Sequence, residues 1–243
     1  MREIKITESS LKYNNLLYLK ISLEDILEQM NANANLIRLK NRSEYTVKLP
    51  LEYLEIFLLE LRDKIADIIA INYKHNFFKR NVKFTGLSEV ESELLITSLI
   101  SADIEEDKKY VIKKLKGFEE YSLDGIFNFR MKPLKEKWKE IIGYIPPSFT
   151  KSQLKDFVSY LIKDKKGKRV YVDGESVYDK RFNKLNRNKL LSSDSGNLTV
   201  TKEILLSGAG EIELCSPVND NENKYLKEFY ENKIYFNDSY YGV

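Results

Sequence analysis

One histidine, one cysteine and no clustered set of metal-binding side chains leave this chain few routes to covalent chemistry. His75 stands between Lys74 and Asn76 at the end of an apolar helical stretch, where a surface role beside a helix C-terminus is expected. A lone histidine also removes most of the usual nitrogen donors for zinc. Cys215 closes an apolar run ahead of Ser216-Pro217, with Glu211 and Glu213 nearby. A nucleophilic thiolate needs positive surroundings, so Cys215 reads as a small buried hydrophobe. Gly208-Ala209-Gly210 has the look of a phosphate loop, yet phosphate-cradling glycines follow a strand and open a helix. Here the order is reversed, and a helix C-cap is expected instead. Glu211 and Glu213 share one face of a strand and are competent as an acid and base pair, although an exposed polar face produces the same alternation. Glu105-Glu106-Asp107 falls in a first helical turn, where carboxylates complement the helix dipole.

Two stretches concentrate other chemistry. The first, from Ser122 to Lys139, gathers Phe127, Phe129, Arg130, Met131 and the only tryptophan, Trp138. A guanidinium between Phe129 and Met131 suggests a partly buried Arg130 that needs a carboxylate or carbonyl partner; Arg is equally suited to bidentate capture of a carboxylate or phosphate. The second runs from Lys163 to Lys189. It carries Lys165, Lys166, Lys168, Arg169, Arg181 and Arg187, interleaved with Tyr171, Tyr178 and Phe182. Cations that neutralise phosphates beside rings that stack on bases are what single-stranded nucleic acid requires, and a solvated basic turn gives the same composition.

The elements that position these residues follow from periodicity. Glu3-Ile4-Lys5-Ile6 alternates as a strand, Leu16 to Ile21 is a second strand candidate, and Ser22 with Asp25 caps a helix from Leu23 to Met30. Asn35–Lys40 and Glu44–Leu49 flank a polar turn and read as a hairpin. After Pro50, Leu54, Leu58, Leu61, Ile65 and Ile68 recur at helical spacing on a stripe wide enough for a central buried helix. Ser88/Glu91 and Asp103/Glu106 are capping signatures for two more helices, the second ending near Phe118, and Thr150/Gln153 caps the helix carrying Leu154, Phe157, Val158, Leu161 and Ile162. Asp124-Gly125 predicts a turn, and Pro133 a helix start. Beyond Lys163 come strands at Arg169–Val172 and Ser176–Tyr178, a loop at Ser192–Asn197, and a helix, strand, helix, strand ending.

Hydrophobic content of 42% supports a packed core, and a net charge of +3 is too small to argue for nucleic acid or an anionic membrane. A single cysteine excludes an intramolecular disulfide framework. The charged N-terminus lacks the apolar core of a secretory signal, and the most apolar helix carries too many charges for a membrane span. A cytoplasmic protein is expected.

The run Asp124-Gly125-Ile126-Phe127-Asn128-Phe129-Arg130-Met131 resembles the Gly-Phe-x-x-Phe-Arg-Leu signature of the YtxC-like sporulation proteins of endospore-forming bacteria. Ile126 and Met131 stand where that pattern has Phe and Leu. The resemblance extends over about Leu51 to Phe236. It implies a bacterial, sporulation-associated protein of unestablished biochemical activity. Family members end in closely spaced cysteines, whereas this chain ends Asn237-Asp238-Ser239-Tyr240-Tyr241, so no metal or redox role carries over.

The expected architecture is α+β: an N-terminal mixed β layer over residues 1–49, a helical core over 50–163 and a small α/β region over 164–243. The expected protein is non-enzymatic, needs no cofactor or metal and acts through a protein partner. The alternative is a nucleic-acid-binding module using 163–189. The 122–139 stretch is expected to pack the core, with Phe129 buried and Arg130 on a buried partner.

Overall fold

The computed structural model describes the chain except residues 10–11, 118–119, 164, 166, 192–197 and 238–243. The architecture is α+β. Its backbone divides into two compact units, Met1–Asn76 with Glu105–Tyr144, and Phe77–Ile104 with Ile145–Val243. Each unit has its own sheet, and the helical region expected at 50–163 is shared between them.

In the first unit, strand β1 (Arg2–Ser9) pairs antiparallel with β3 (Arg42–Leu49), which forms a hairpin with β2 (Asn33–Arg38). On its other side β1 pairs parallel with β4 (Glu120–Ser122), so the sheet order is β2-β3-β1-β4. Period-two alternation buries Ile4 and Ile6 on β1 against Tyr45 and Val47 on β3, and it carries Glu8 and Ser43 onto the same buried face. Helix α1 (Tyr13–Gln29) covers this face. It absorbs the strand expected at Leu16–Ile21 and overrides the cap expected at Ser22. Buried Leu16, Leu19, Leu23 and Leu27 recur every three or four residues, a stripe that a six-residue window around Leu16 is too short to reveal.

The central helix is present as α2 (Leu54–Asp67), preceded by a 3-10 turn, and it passes through a six-residue π-helical stretch, Ile68–Tyr73, into α3 (Lys74–Asn81). Every residue of the π-helical stretch is buried. Helix α4 (Glu89–Leu115) is two helices joined at Asp103, whose φ of −134° and ψ of 16° are non-helical at the position where the sequence places a cap. The Ser88/Glu91 box closes at its start: the Glu91 N–H donates to Ser88 Oγ and the Ser88 N–H to Glu91 Oε2. The expected Phe118 end of this region lies outside the described residues. Helices α5 (Leu123–Arg130) and α6 (Lys132–Tyr144) complete the first unit, whereas residues 77–81 of α3 and 89–104 of α4 belong to the second. Pro133 sits in the first turn of α6, as expected.

In the second unit, α7 (Lys151–Lys163) carries the expected Thr150/Gln153 box. Strands β5 (Arg169–Asp173), β6 (Ser176–Tyr178) and β7 (Lys184–Leu185) form a meander. Then α8 (Thr199–Ser207), β8 (Glu211–Leu214), α9 (Asp220–Tyr230) and β9 (Ile234–Phe236) place β8 and β9 parallel to β5, in the order β7-β6-β5-β8-β9. The loop expected at 192–197 lies outside the described residues. Val170, Val172, Ile212 and Leu214 pack against Leu154, Val158, Ile204 and Leu226. Gly208 ends α8 in the left-handed conformation (φ 63°), the C-cap that its order in the sequence predicts. A Cβ at Gly210 would lie 2.3 Å from the Lys165 carbonyl, so the second glycine permits a close backbone approach. Among the described residues no helix is long and apolar enough to cross a membrane.

Candidate functional site

The 122–139 stretch is helical where a turn was expected at Asp124-Gly125. Ser122 Oγ accepts the Gly125 N–H and caps α5, drawing Asp124 and Gly125 into its first turn. A helix rotates about 100° per residue, so Phe127 and Phe129 point roughly 200° apart. Phe127 faces inward, 4.4 Å from the Tyr73 ring and 6.0 Å from that of Trp138. Trp138 is fully buried, and its Nε1 donates to Asp107 at 2.9 Å. Phe129 is 84% exposed, against the expectation of a buried anchor. Arg130 is exposed too, so no buried counter-charge is demanded of it. With Glu120, Ser122, Gly125 and Ile126, these two residues line a surface groove of about 340 Å³ beside β4, the last strand of its sheet.

The basic stretch is divided by its own neighbours. Arg169 donates to Glu211 at 3.0 and 3.2 Å and to Glu213 at 3.2 Å, and its guanidinium lies 4.5 Å from the Tyr235 ring centre. This arrangement explains the carboxylate alternation on β8 as counter-charge for Arg169. Arg187 is half-buried and donates to the Leu206 carbonyl at 3.5 Å. Lys165, Lys168 and Arg181 are exposed, Tyr171 stacks on Phe182 at 4.7 Å, and Lys166 lies outside the described residues.

His75 is fully buried within α3, not at a frayed surface end. The helix continues six residues beyond His75, to Asn81, with Phe78 buried on it. Cys215 is half-buried, and burial, with the Glu213 and Asp173 charges behind it, pushes its thiol upward. That is the environment of an inert cysteine.

The densest chemistry lies where sequence reasoning placed none, around the π-helical stretch of the first unit. π-helical turns occur frequently at functional sites. Lys74, directly after it, pairs with Asp107 at 2.8 Å, both side chains fully buried, and Asp107 also accepts from Trp138 and, at 2.8 Å, from Lys137. Asp107 therefore joins α3, α4 and α6 and is far more than a dipole complement. Lys108 bridges Asp63 and Asp67, and the Tyr18 hydroxyl donates to Asp67 at 2.9 Å.

Nearest the groove, Glu8, Tyr73, Asp124 and Lys12 form a chain. The Tyr73 hydroxyl oxygen lies 2.9 Å from Glu8 Oε1 and 3.0 Å from Asp124 Oδ1. Asn15 Nδ2 donates to Glu8 Oε1 at 2.7 Å. Lys12 Nζ donates to Asp124 Oδ1 at 2.7 Å and the Ser9 N–H to Oδ2 at 2.9 Å. The two carboxyls diverge. Burial pushes Glu8 up to about 7, against the lowering effect of Asn15 and Tyr73. Partial burial would also raise Asp124, but Lys12, the Ser9 N–H and Tyr73 together hold it below the usual carboxylate range. Burial and the two neighbouring carboxyls keep the Tyr73 phenol well above its ordinary value, so it stays a proton donor. Such divergence marks acid and base partners in enzymes, yet neither Glu8 nor Asp124 lines the groove. One signal in the sequence pointed here: Glu8 continues the alternation of Ile4 and Ile6 and so belongs to the core face. Among the described residues no group of three or more His, Cys, Asp or Glu is arranged to hold a metal ion.

Comparisons with protein-family models, with curated proteins and with solved structures found no significant match.

Proposed function

We propose that the protein works by binding a partner polypeptide in extended form, along the outer edge of β4 and over the exposed α5 residues Phe129 and Arg130. The observation that carries this reading is the exposure of Phe129 beside the terminal strand of a sheet. An exposed aromatic ring beside an arginine offers the kind of side chains that anchor interfaces, and a strand edge offers backbone groups to a further strand. The residues best able to do covalent chemistry support a non-enzymatic role: His75 is buried, the Cys215 thiol is raised, and Glu211 and Glu213 serve Arg169. A role in sporulation rests on the resemblance of residues 124–131 alone. The test is capture from sporulating cells with the full chain and with Phe129→Ser. A protein retained by the first and lost with the second, at unchanged thermal midpoint, supports the reading; identical capture by both overturns it.

A second reading draws on the exposed Lys165, Lys168 and Arg181 beside the Tyr171–Phe182 stack. Retention on single-stranded RNA or DNA that weakens with salt, and again when the three cations are replaced together, would favour it over the first.

A further inference from the structure

The contacts around Tyr73 contain one proton too few. Its hydroxyl oxygen is within hydrogen-bonding distance of two carboxyl oxygens, Glu8 Oε1 and Asp124 Oδ1, and a phenol has one proton to donate. Asp124 is paired with Lys12 and accepts the Ser9 N–H, so it is the ionised member. Were Glu8 ionised as well, one of the two contacts would set a phenol lone pair against a carboxylate oxygen in a site where Glu8 is 3% exposed. Glu8 Oε2 has no hydrogen-bond partner among the described residues, so an ionised carboxylate would also hold part of its charge unsupported. The polar and charged groups around Glu8 are Lys12 ahead of α1, Asn15 in α1, Tyr73 in the π-helical stretch, Asp124 in α5 and Ser43 across the sheet in β3, with Asn72 behind Asn15. Lys12 is the cation among them, and it is engaged by Asp124.

We propose that Glu8 is a neutral carboxylic acid in the folded protein, donating through Oε1 to Tyr73, and that loss of its proton is a switch that loosens α5 and the surface it carries. With the proton in place, the Glu8 O–H donates to Tyr73 and the Tyr73 O–H donates to Asp124, so both contacts are hydrogen bonds. When the proton passes to solvent, two carboxylates compete for one phenol proton and repel each other. Glu8 is buried and held on the sheet face by the pairing of β1 with β3, near the end of both strands, whereas Asp124 is partly exposed in the first turn of α5. Asp124 therefore yields. It is also the residue through which the Ser9 N–H and Lys12 hold the start of α5, so its release frees the helix that presents Phe129 and Arg130. The regulatory half of this proposal rests on the partner-binding reading; the protonation of Glu8 does not. The elevation of Glu8 to about 7 places the transition near neutral pH.

The test is a pH titration of the full chain labelled with carbon-13 at the glutamate carboxyls, with hydrogen exchange of the α5 amides measured in parallel. One glutamate resonance is expected to titrate near pH 7 and to be missing from Glu8→Gln. Over the same range α5 amides should lose protection several-fold beyond the intrinsic effect of pH, while α6 amides do not and Glu8→Gln stays flat. All glutamates titrating in the ordinary acid range, or equal loss of α5 protection in both proteins, overturns the proposal. Should Glu8→Gln fail to fold, the wild-type titration and the coincidence of α5 exchange with it decide the matter. Neither readout needs a partner, so a failed capture experiment leaves this result standing.

Discussion

Replacing Glu8 by Gln should flatten a pH dependence of stability that the wild-type protein carries. Folding lifts Glu8 from an ordinary 4.5 to about 7, chiefly through burial. In that window the folded state holds a proton that the unfolded state has lost, so the free energy of unfolding falls as pH rises. The contribution is fully present below about pH 4.5 and is lost as pH passes 7, a difference of about 3 kcal/mol. For a chain of typical total stability, roughly 5 to 15 kcal/mol, that is a large share. The assay is urea unfolding at a series of pH values for both proteins. Gln meets Tyr73 and Asn15 with a slightly different pattern of donors, which produces a constant offset; the slope between pH 4.5 and 7 is the diagnostic quantity. Other carboxyls titrate in both proteins and cancel in the difference, including Asp124, which works in the opposite direction because its carboxyl is held low. Parallel curves for wild type and Glu8→Gln would mean that Glu8 is ionised in the folded protein, as in the unfolded chain.

Phe129→Ala should change stability by less than about 0.5 kcal/mol in a denaturant titration, as for an ordinary surface position, and a loss of several kcal/mol would mean that the ring is buried. Trp138→Ala, by contrast, empties a fully buried site and removes the Nε1 donor to Asp107, so a cost of about 3 to 5 kcal/mol is expected in the same assay. Glu222→Ala should destabilise by about 1 to 2 kcal/mol, because this buried carboxylate accepts the Val200 and Thr201 N–H groups at 2.9 Å and caps α8 from a distant point in the chain. If nucleic acid binds, Arg169→Ala should weaken retention less than replacement of Lys165, Lys168 and Arg181, since Arg169 is already engaged by Glu211 and Glu213.

What was legible in the sequence was local. The Ser88/Glu91 and Thr150/Gln153 boxes closed as written, because a cap is made by residues three apart and needs nothing from the rest of the fold. The hairpin of β2 and β3, the start of α6 at Pro133 and the left-handed Gly208 belong to the same class. Errors arose where a short window admitted two periods. Leu16–Ile21 fits a strand until Leu23 and Leu27 are counted, and Phe127 and Phe129 share a face only if the chain is extended.

The α+β class, the caps and turns, and the period that carries Glu8 onto the core side of β1 each depend on neighbours along the chain and can be read from them. What Glu8 meets there comes from residues far away in the chain. Tyr73 is 65 residues away, Lys74 finds Asp107 at a separation of 33, and Ser9 finds Asp124 at 115. A carboxyl in water is an ordinary acid whatever its neighbours in sequence; its proton affinity and its partners come into being when the fold removes the water and brings a phenol and a second carboxyl within 3 Å of one another.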